Sequence, residues 1–101
     1  MPSEATSKKK GVVFRLFVAG HEPHSRAAET NLRKLCESHI SASVEIEIVD
    51  VLESHEMALK HRIFLTPAVM RVTPGPPVTI FGDLSDIRKV INTLRLEEGQ
   101  P

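Results

Sequence analysis

The 101-residue chain has no tryptophan, no tyrosine and a single cysteine, Cys36. One thiol excludes an intramolecular disulfide, a Cys-x-x-Cys pair and a four-cysteine zinc site, and it fits a reducing compartment. Four phenylalanines are the only aromatic residues, too few for a platform that stacks nucleic-acid bases. Net charge is missing as well. Thirteen basic residues balance thirteen acidic ones, so no overall field draws in nucleic acid or an anionic membrane. No apolar run reaches the length of a membrane span; the longest, residues 11–19, is short and interrupted by Arg15. A cytoplasmic protein without a membrane partner is expected. No glycine-rich phosphate loop occurs either, since Gly20 stands alone and Pro74-Gly75-Pro76-Pro77 reads as a rigid turn. No cofactor is expected.

What is there suits one small domain over residues 11–96, with polar tails at 1–10 and 97–101. Val12 to Val18 is almost continuously apolar, β-branched and aromatic, which predicts a central strand buried on both faces. After the loop 19–24, Ser25 is placed to cap a helix in which Ala28, Leu32, Leu35, Cys36 and His39 recur at helical spacing as far as Ile40. Val44, Ile46 and Ile48 alternate with Glu45 and Glu47, a strand with one wet face that runs on to Val51. Residues 53–62 favour a weakly amphipathic helix with Met57 and Leu59 as its main apolar residues. Strands are predicted at 68–72 and 78–81, joined as a hairpin. A last helix, capped by Asp83 or Ser85, carries Leu84, Ile87, Val90, Ile91 and Leu94 on one face. The order β-α-β-α-β-β-α is that of an α/β, thioredoxin-like domain with a four-stranded mixed sheet flanked by helices, and it also tolerates other ferredoxin-like arrangements.

Thioredoxin-like enzymes carry their redox cysteines in the loop after the first strand. Here that loop reads Ala19-Gly20-His21-Glu22-Pro23-His24-Ser25 and holds no thiol. Cys36 falls on the apolar face of the first helix, where a small buried hydrophobe is expected instead of a reactive thiolate. His21 and His24 share the loop with Glu22, but two histidines without fixed further ligands make no metal site. Thr66-Pro67 before the third strand is a candidate cis bond. Asp83, Asp86, Glu97 and Glu98 read as caps and tail charge, and Lys8-Lys9-Lys10 as a solubilising run. No catalytic group emerges.

Four collinear blocks then resemble one family. Leu16-Phe17-Val18-Ala19-Gly20 with Pro23 and Ser25, Ile48-Val49-Asp50-Val51-Leu52, Arg62-Ile63-Phe64-Leu65-Thr66-Pro67, and Ile80-Phe81-Gly82-Asp83-Leu84-Ser85 followed by Arg88-Lys89-Val90 are similar to segments of the circadian clock family KaiB. The resemblance spans about residues 12–96. It implies a non-enzymatic regulator that docks on the hexameric ATPase and autokinase KaiC. In the clock such proteins also capture KaiA and displace a histidine kinase with a KaiB-like sensor domain. It implies two folds too, a tetrameric ground state and a thioredoxin-like monomer competent to bind. By resemblance the candidate partner-binding residues are Asp50, Arg62, Gly82 and Asp83.

The departures carry their own expectations. Thr93 and Arg95 stand where clock proteins carry glycine and aspartate, positions that bias the fold state. Removing a glycine and an acidic group near a helix C-terminus favours the helix, so the thioredoxin-like form is expected to persist. Glu45 and Glu47 replace an alanine and a lysine that face KaiA, which disfavours that partner. Arg62 keeps the positive charge of a lysine used against KaiC. Val12 replaces an early tyrosine, and Glu97 to Pro101 is all that matches the family's acidic C-terminal extension. The expected setting is circadian-type timing or, in view of these departures, stress adaptation in an organism without a full clock. The alternative readings are a thioredoxin-like oxidoreductase of the oxidative stress response, relying on Cys36, and a homo-oligomer that is itself the functional unit.

Overall fold

The computed structural model describes residues 11–40 and 43–94. Seven elements follow in order: β1 (Val12–Val18), α1 (Pro23–His39), β2 (Val44–Asp50), α2 (His55–Lys60), β3 (Ala68–Thr73), β4 (Val78–Phe81) and α3 (Ile87–Leu94). This is the order read from the sequence. Both tails, 1–10 and 97–101, lie outside the described residues, as does Arg95.

β1 takes the centre because it is apolar on both faces. It pairs parallel with β2 and antiparallel with β3, and β4 extends the sheet to the order β2-β1-β3-β4. Alternate residues of a strand point to opposite faces, so β1 feeds two cores. Phe14, Leu16 and Val18 pack with Ala28, Leu32 and Leu35 of α1 and with Val90 and Leu94 of α3. Phe17 looks the other way and joins Val49, Ala58, Ile63, Ala68 and Met70 under α2. The coverage is unequal. One face has helices of 17 and 8 residues; the other has six residues of α2, about 9 Å of cylinder.

Local chemistry moves several boundaries from those expected. Ser25 does not cap α1. Glu22 does, its carboxylate accepting from the Ser25 amide at 3.0 Å, while Pro23 fills the first turn, where a missing N–H costs nothing. Ser25 sits buried inside the helix with its hydroxyl accepting from the Ala19 amide at 3.1 Å. Neither Asp83 nor Ser85 caps α3; Asp86 does, accepting through its side chain from the Lys89 amide at 3.2 Å and through its carbonyl from the Val90 amide at 3.0 Å. In α2 Ala58 is buried and Met57 packs partly against the core as expected, whereas Leu59 points outward at 72% exposure. The turn after β3 contains a cis bond, Thr73–Pro74, and a second cis bond joins Thr66 to Pro67.

One charged residue lies in the larger core. Arg71 on β3 is 7% exposed, and its guanidinium donates to the carbonyls of Leu94, at the end of α3, and of Pro76, in the β3–β4 turn, the latter at 3.1 Å. Its Nε has no partner among the described residues. A buried cation with no carboxylate beside it among the described residues is expensive, and here the negative end of the α3 dipole and two carbonyls offset that cost. The guanidinium thus clamps α3 to the hairpin. Arg71→Ala is expected to lower stability by about 2–4 kcal/mol in urea unfolding, with Arg71→Lys intermediate. A loss under about 0.5 kcal/mol would show the clamp to be idle.

Candidate docking surface

The strand directions bring the loops 19–22, 51–54, 61–67 and 82–86 to one end of the sheet, since β1, β2 and β4 all finish there and β3 begins there. This is the end where the sequence blocks of interest lie. What each residue does there is set by its hydrogen bonds.

Asp50 closes β2 half-buried, with one carboxylate oxygen accepting from the amides of Gly20 and Leu52, both at 3.0 Å. It fastens the β1–α1 loop to the β2–α2 loop. Gly20 has φ +57, and a Cβ there would come within 3.3 Å of the Leu52 side chain, so glycine suits both the turn and the approach. Asp83 occupies the opposite edge. Its Oδ1 accepts from the Ser85 amide at 3.0 Å, its carbonyl accepts from Asn31 at 2.8 Å, and His24 lies 3.7 Å from its other oxygen. The Ser85 hydrogen bonds, with a smaller contribution from His24, hold its carboxyl below the usual carboxylate range. Gly82, with φ +119, donates its amide to the carbonyl of Pro67 at 2.8 Å. Gly82 and Asp83 therefore group with Pro67, whereas Asp50 stands three strands away, about 14 Å. The four residues do not form one cluster.

Arg62 follows α2, exposed and with φ 59, in the left-handed region that an arginine rarely adopts. The neighbours of Arg62 escaped the sequence reading as surface features. Leu52, Leu59, Phe64 and Leu65 are between 62% and 76% exposed. Leu52, Leu59 and Phe64 line an open groove of about 460 Å³ with Val51, Ala58 and Ile63. A signal existed: the segment Arg62-Ile63-Phe64-Leu65 has more apolar residues than a six-residue helix can cover. Thr93 lies exposed on α3, far from this groove in the fold order.

Beside the groove, Arg15 on β1 donates to Glu47 at 2.8 Å and to the ring of His61 at 3.3 Å. The same ring tilts over Phe17 with centroids 6.1 Å apart. Glu47, expected on a wet strand face, is thus paired within the sheet. Burial, then Arg15 and Lys60, holds the His61 imidazole below its ordinary 6.5. Cys36 is free and buried, and burial pushes its thiol up to about 11, which leaves almost no thiolate at neutral pH. Among the described residues no three His, Cys, Asp or Glu side chains gather as a metal would require, and no helix is long and apolar enough to cross a membrane.

Two outcomes follow from this chemistry. Because the folded state depresses the His61 pKa, the unfolded chain binds its proton first as pH falls. Thermal stability should be level above about pH 6.5 and drop below it, and His61→Gln should flatten that drop. A drop of unchanged size in the variant would assign the acid sensitivity elsewhere. A disulfide-exchange reagent should label Cys36 at least about a hundredfold more slowly in the native protein than in denaturant; equal rates would place the thiol at the surface.

The KaiB domain family matches residues 15–96. The circadian clock oscillator protein KaiB of Prochlorococcus marinus strain NATL2A is 36% identical over 87% of this chain and 82% of its own length. That of Picosynechococcus sp. strain ATCC 27264 is 36% identical over 87% and 85%. Among solved structures, the N-terminal domain of Synechococcus elongatus SasA superposes with a TM-score of 0.71 at 20% identity, covering 100% of this chain and 97% of that one. Mitochondrial thioredoxin 3 of Saccharomyces cerevisiae superposes at 0.65 and 21% identity over 84% and 80%. These two likenesses confirm the thioredoxin-like fold, and the family match with the curated relatives settles lineage: the chain belongs to the KaiB family.

Proposed function

We propose that this protein is a non-enzymatic, KaiB-type regulator that docks on a KaiC-like hexameric ATPase through the surface around α2 and the 61–67 loop. The observation that carries the reading is the uncovered apolar surface of Leu59, Phe64 and Leu65 next to the exposed cation Arg62. Monomeric proteins rarely leave a contiguous apolar patch without a partner for it, and apolar anchors beside an arginine are what a protein interface selects. The thiol-free loop and the depressed acidity of Cys36 support a role without chemistry of its own. Asp50 and the Gly82–Asp83 turn act here as loop fasteners that shape the docking end, with Arg62 as the residue that meets the partner. Thr93, in place of a glycine, supports persistence of the thioredoxin-like form. Glu45 and Glu47 present carboxylates along β2, so a KaiA-type partner that seeks a basic strand is disfavoured.

Affinity purification from the native cell should recover a hexameric ATPase. Arg62→Glu should weaken that complex at least about tenfold, the scale of a lost interfacial cation, with an unchanged unfolding midpoint. Recovery of no ATPase, or full binding by the variant, would sink the proposal.

A further inference from the structure

The turn that ends α2 contains a backbone conformation that its own sequence does not favour. Arg62 has φ 59, in the left-handed region that glycine prefers at this position of a helix end. Two hydrogen bonds shape the turn: the Arg62 amide donates to the Leu59 carbonyl at 3.1 Å, and the Ile63 amide to the Ala58 carbonyl at 2.9 Å. Ile63 then enters the core in company with Ala58, the apolar contact that often accompanies such an ending. A strained residue persists only where its surroundings determine it. A helix of six residues determines little by itself.

His61, immediately before Arg62, supplies a further hold. Its ring tilts over Phe17, and its Nε2 lies 3.3 Å from Nη1 of Arg15. A guanidinium only donates, so Nε2 accepts, and the ring is neutral with its proton on Nδ1. The side chain thus ties the end of α2 to β1. A second proton would go onto Nε2 and take the lone pair that Arg15 uses, leaving two cations face to face.

The surroundings give an imidazolium there little relief. β1 presents Arg15, and Lys60 and Arg62 adjoin the ring along its own segment. β2 turns Glu45 and Glu47 to this face of the sheet, but Glu47 already accepts from the Arg15 Nε at 2.8 Å. β3 brings Ala68, Met70 and Val72, which carry no charge. Burial, then Arg15 and Lys60, disfavours the protonated ring in the closed turn. Once the turn opens, water solvates the ring and it takes a proton at its ordinary acidity. Acid therefore favours the open form.

We infer that His61 is a pH-sensitive catch: neutral, it holds the turn of residues 61–65 against β1, and protonated it lets go, so that mild acid opens this segment while the sheet stays folded. Arg62, Phe64 and Leu65 then lose their fixed placement. The catch requires only this chain and does not rest on the ATPase reading.

Amide hydrogen exchange, read by NMR on the full-length protein and corrected for the intrinsic effect of pH on exchange, tests the catch. Between about pH 7.5 and about pH 5, protection of the Arg62 and Ile63 amides should fall at least about threefold. Protection of the β1 amides should hold over the same range. His61→Gln offers Arg15 a carbonyl acceptor that does not titrate, so the turn should stay closed at both pH values. His61→Lys places a lasting cation opposite Arg15 and should leave the turn open at both. The glutamine variant also separates His61 from His55, at the start of α2, and from His24, which titrate in the same range. The inference is overturned if wild-type protection at Arg62 and Ile63 does not change with pH, or if β1 loses protection in step with the turn. It is equally overturned if His61→Gln keeps the pH response, or if His61→Lys leaves the turn closed.

Discussion

The structure hangs on the burial of β1. A strand apolar on both faces must be paired on both edges and roofed on both sides, or its backbone and side chains meet water at a cost no short domain can absorb. The parallel partner β2 and the antiparallel partner β3 meet the first demand. For the second, α1 and α3 roof one side fully, while α2 covers only the ground around Phe17. The most exposed apolar side chains of the domain lie where that second roof is short. The exposed leucines and Phe64, the isolated charges along α2 and the Arg15–Glu47–His61 contacts all border the uncovered ground.

Periodicity made the roof and the strands legible in advance. The continuous apolar run of β1, the alternation in β2 and the helical spacing of Ala28, Leu32 and Leu35 each record a burial pattern directly, because burial is what patterns a sequence. The caps were less legible. Glu22, Ser25, Asp83, Ser85 and Asp86 all have side chains that accept from backbone amides, and only the geometry of the loops decides which one does. α2 is hard to read because six residues hold fewer than two turns and define no clear apolar face; Ala58 is buried there and the larger Leu59 is not. Arg71 left no signal either. A lone arginine in a strand reads as a solvent-facing residue until the end of α3 is seen to lie against it.

The site was legible in outline and not in detail. The family blocks converge on one end of the sheet. They could not tell Asp50 and Asp83, whose oxygens are taken up by neighbouring amides, from Arg62, whose charge faces water, since all three are simply polar residues in loops. Membership of the KaiB family adds lineage to that outline, and hydrogen bonding separates residues whose polar atoms are taken up within the loops from those whose side chains face solvent.

The strand order has a bearing on how the chain acquires its shape during synthesis. β1 is made before the other described elements, yet one of its edges waits for β3: Leu16 pairs with Val69 and Phe17 with Ala68. A ribosome therefore releases the most apolar strand of the domain long before its second neighbour exists. Until the C-terminal half emerges, the nascent βαβ unit presents an open, sticky edge of the kind that recruits chaperones or seeds aggregation. Cellular yield of this protein should thus be governed by the speed with which residues 68–73 are delivered to a strand already waiting for them.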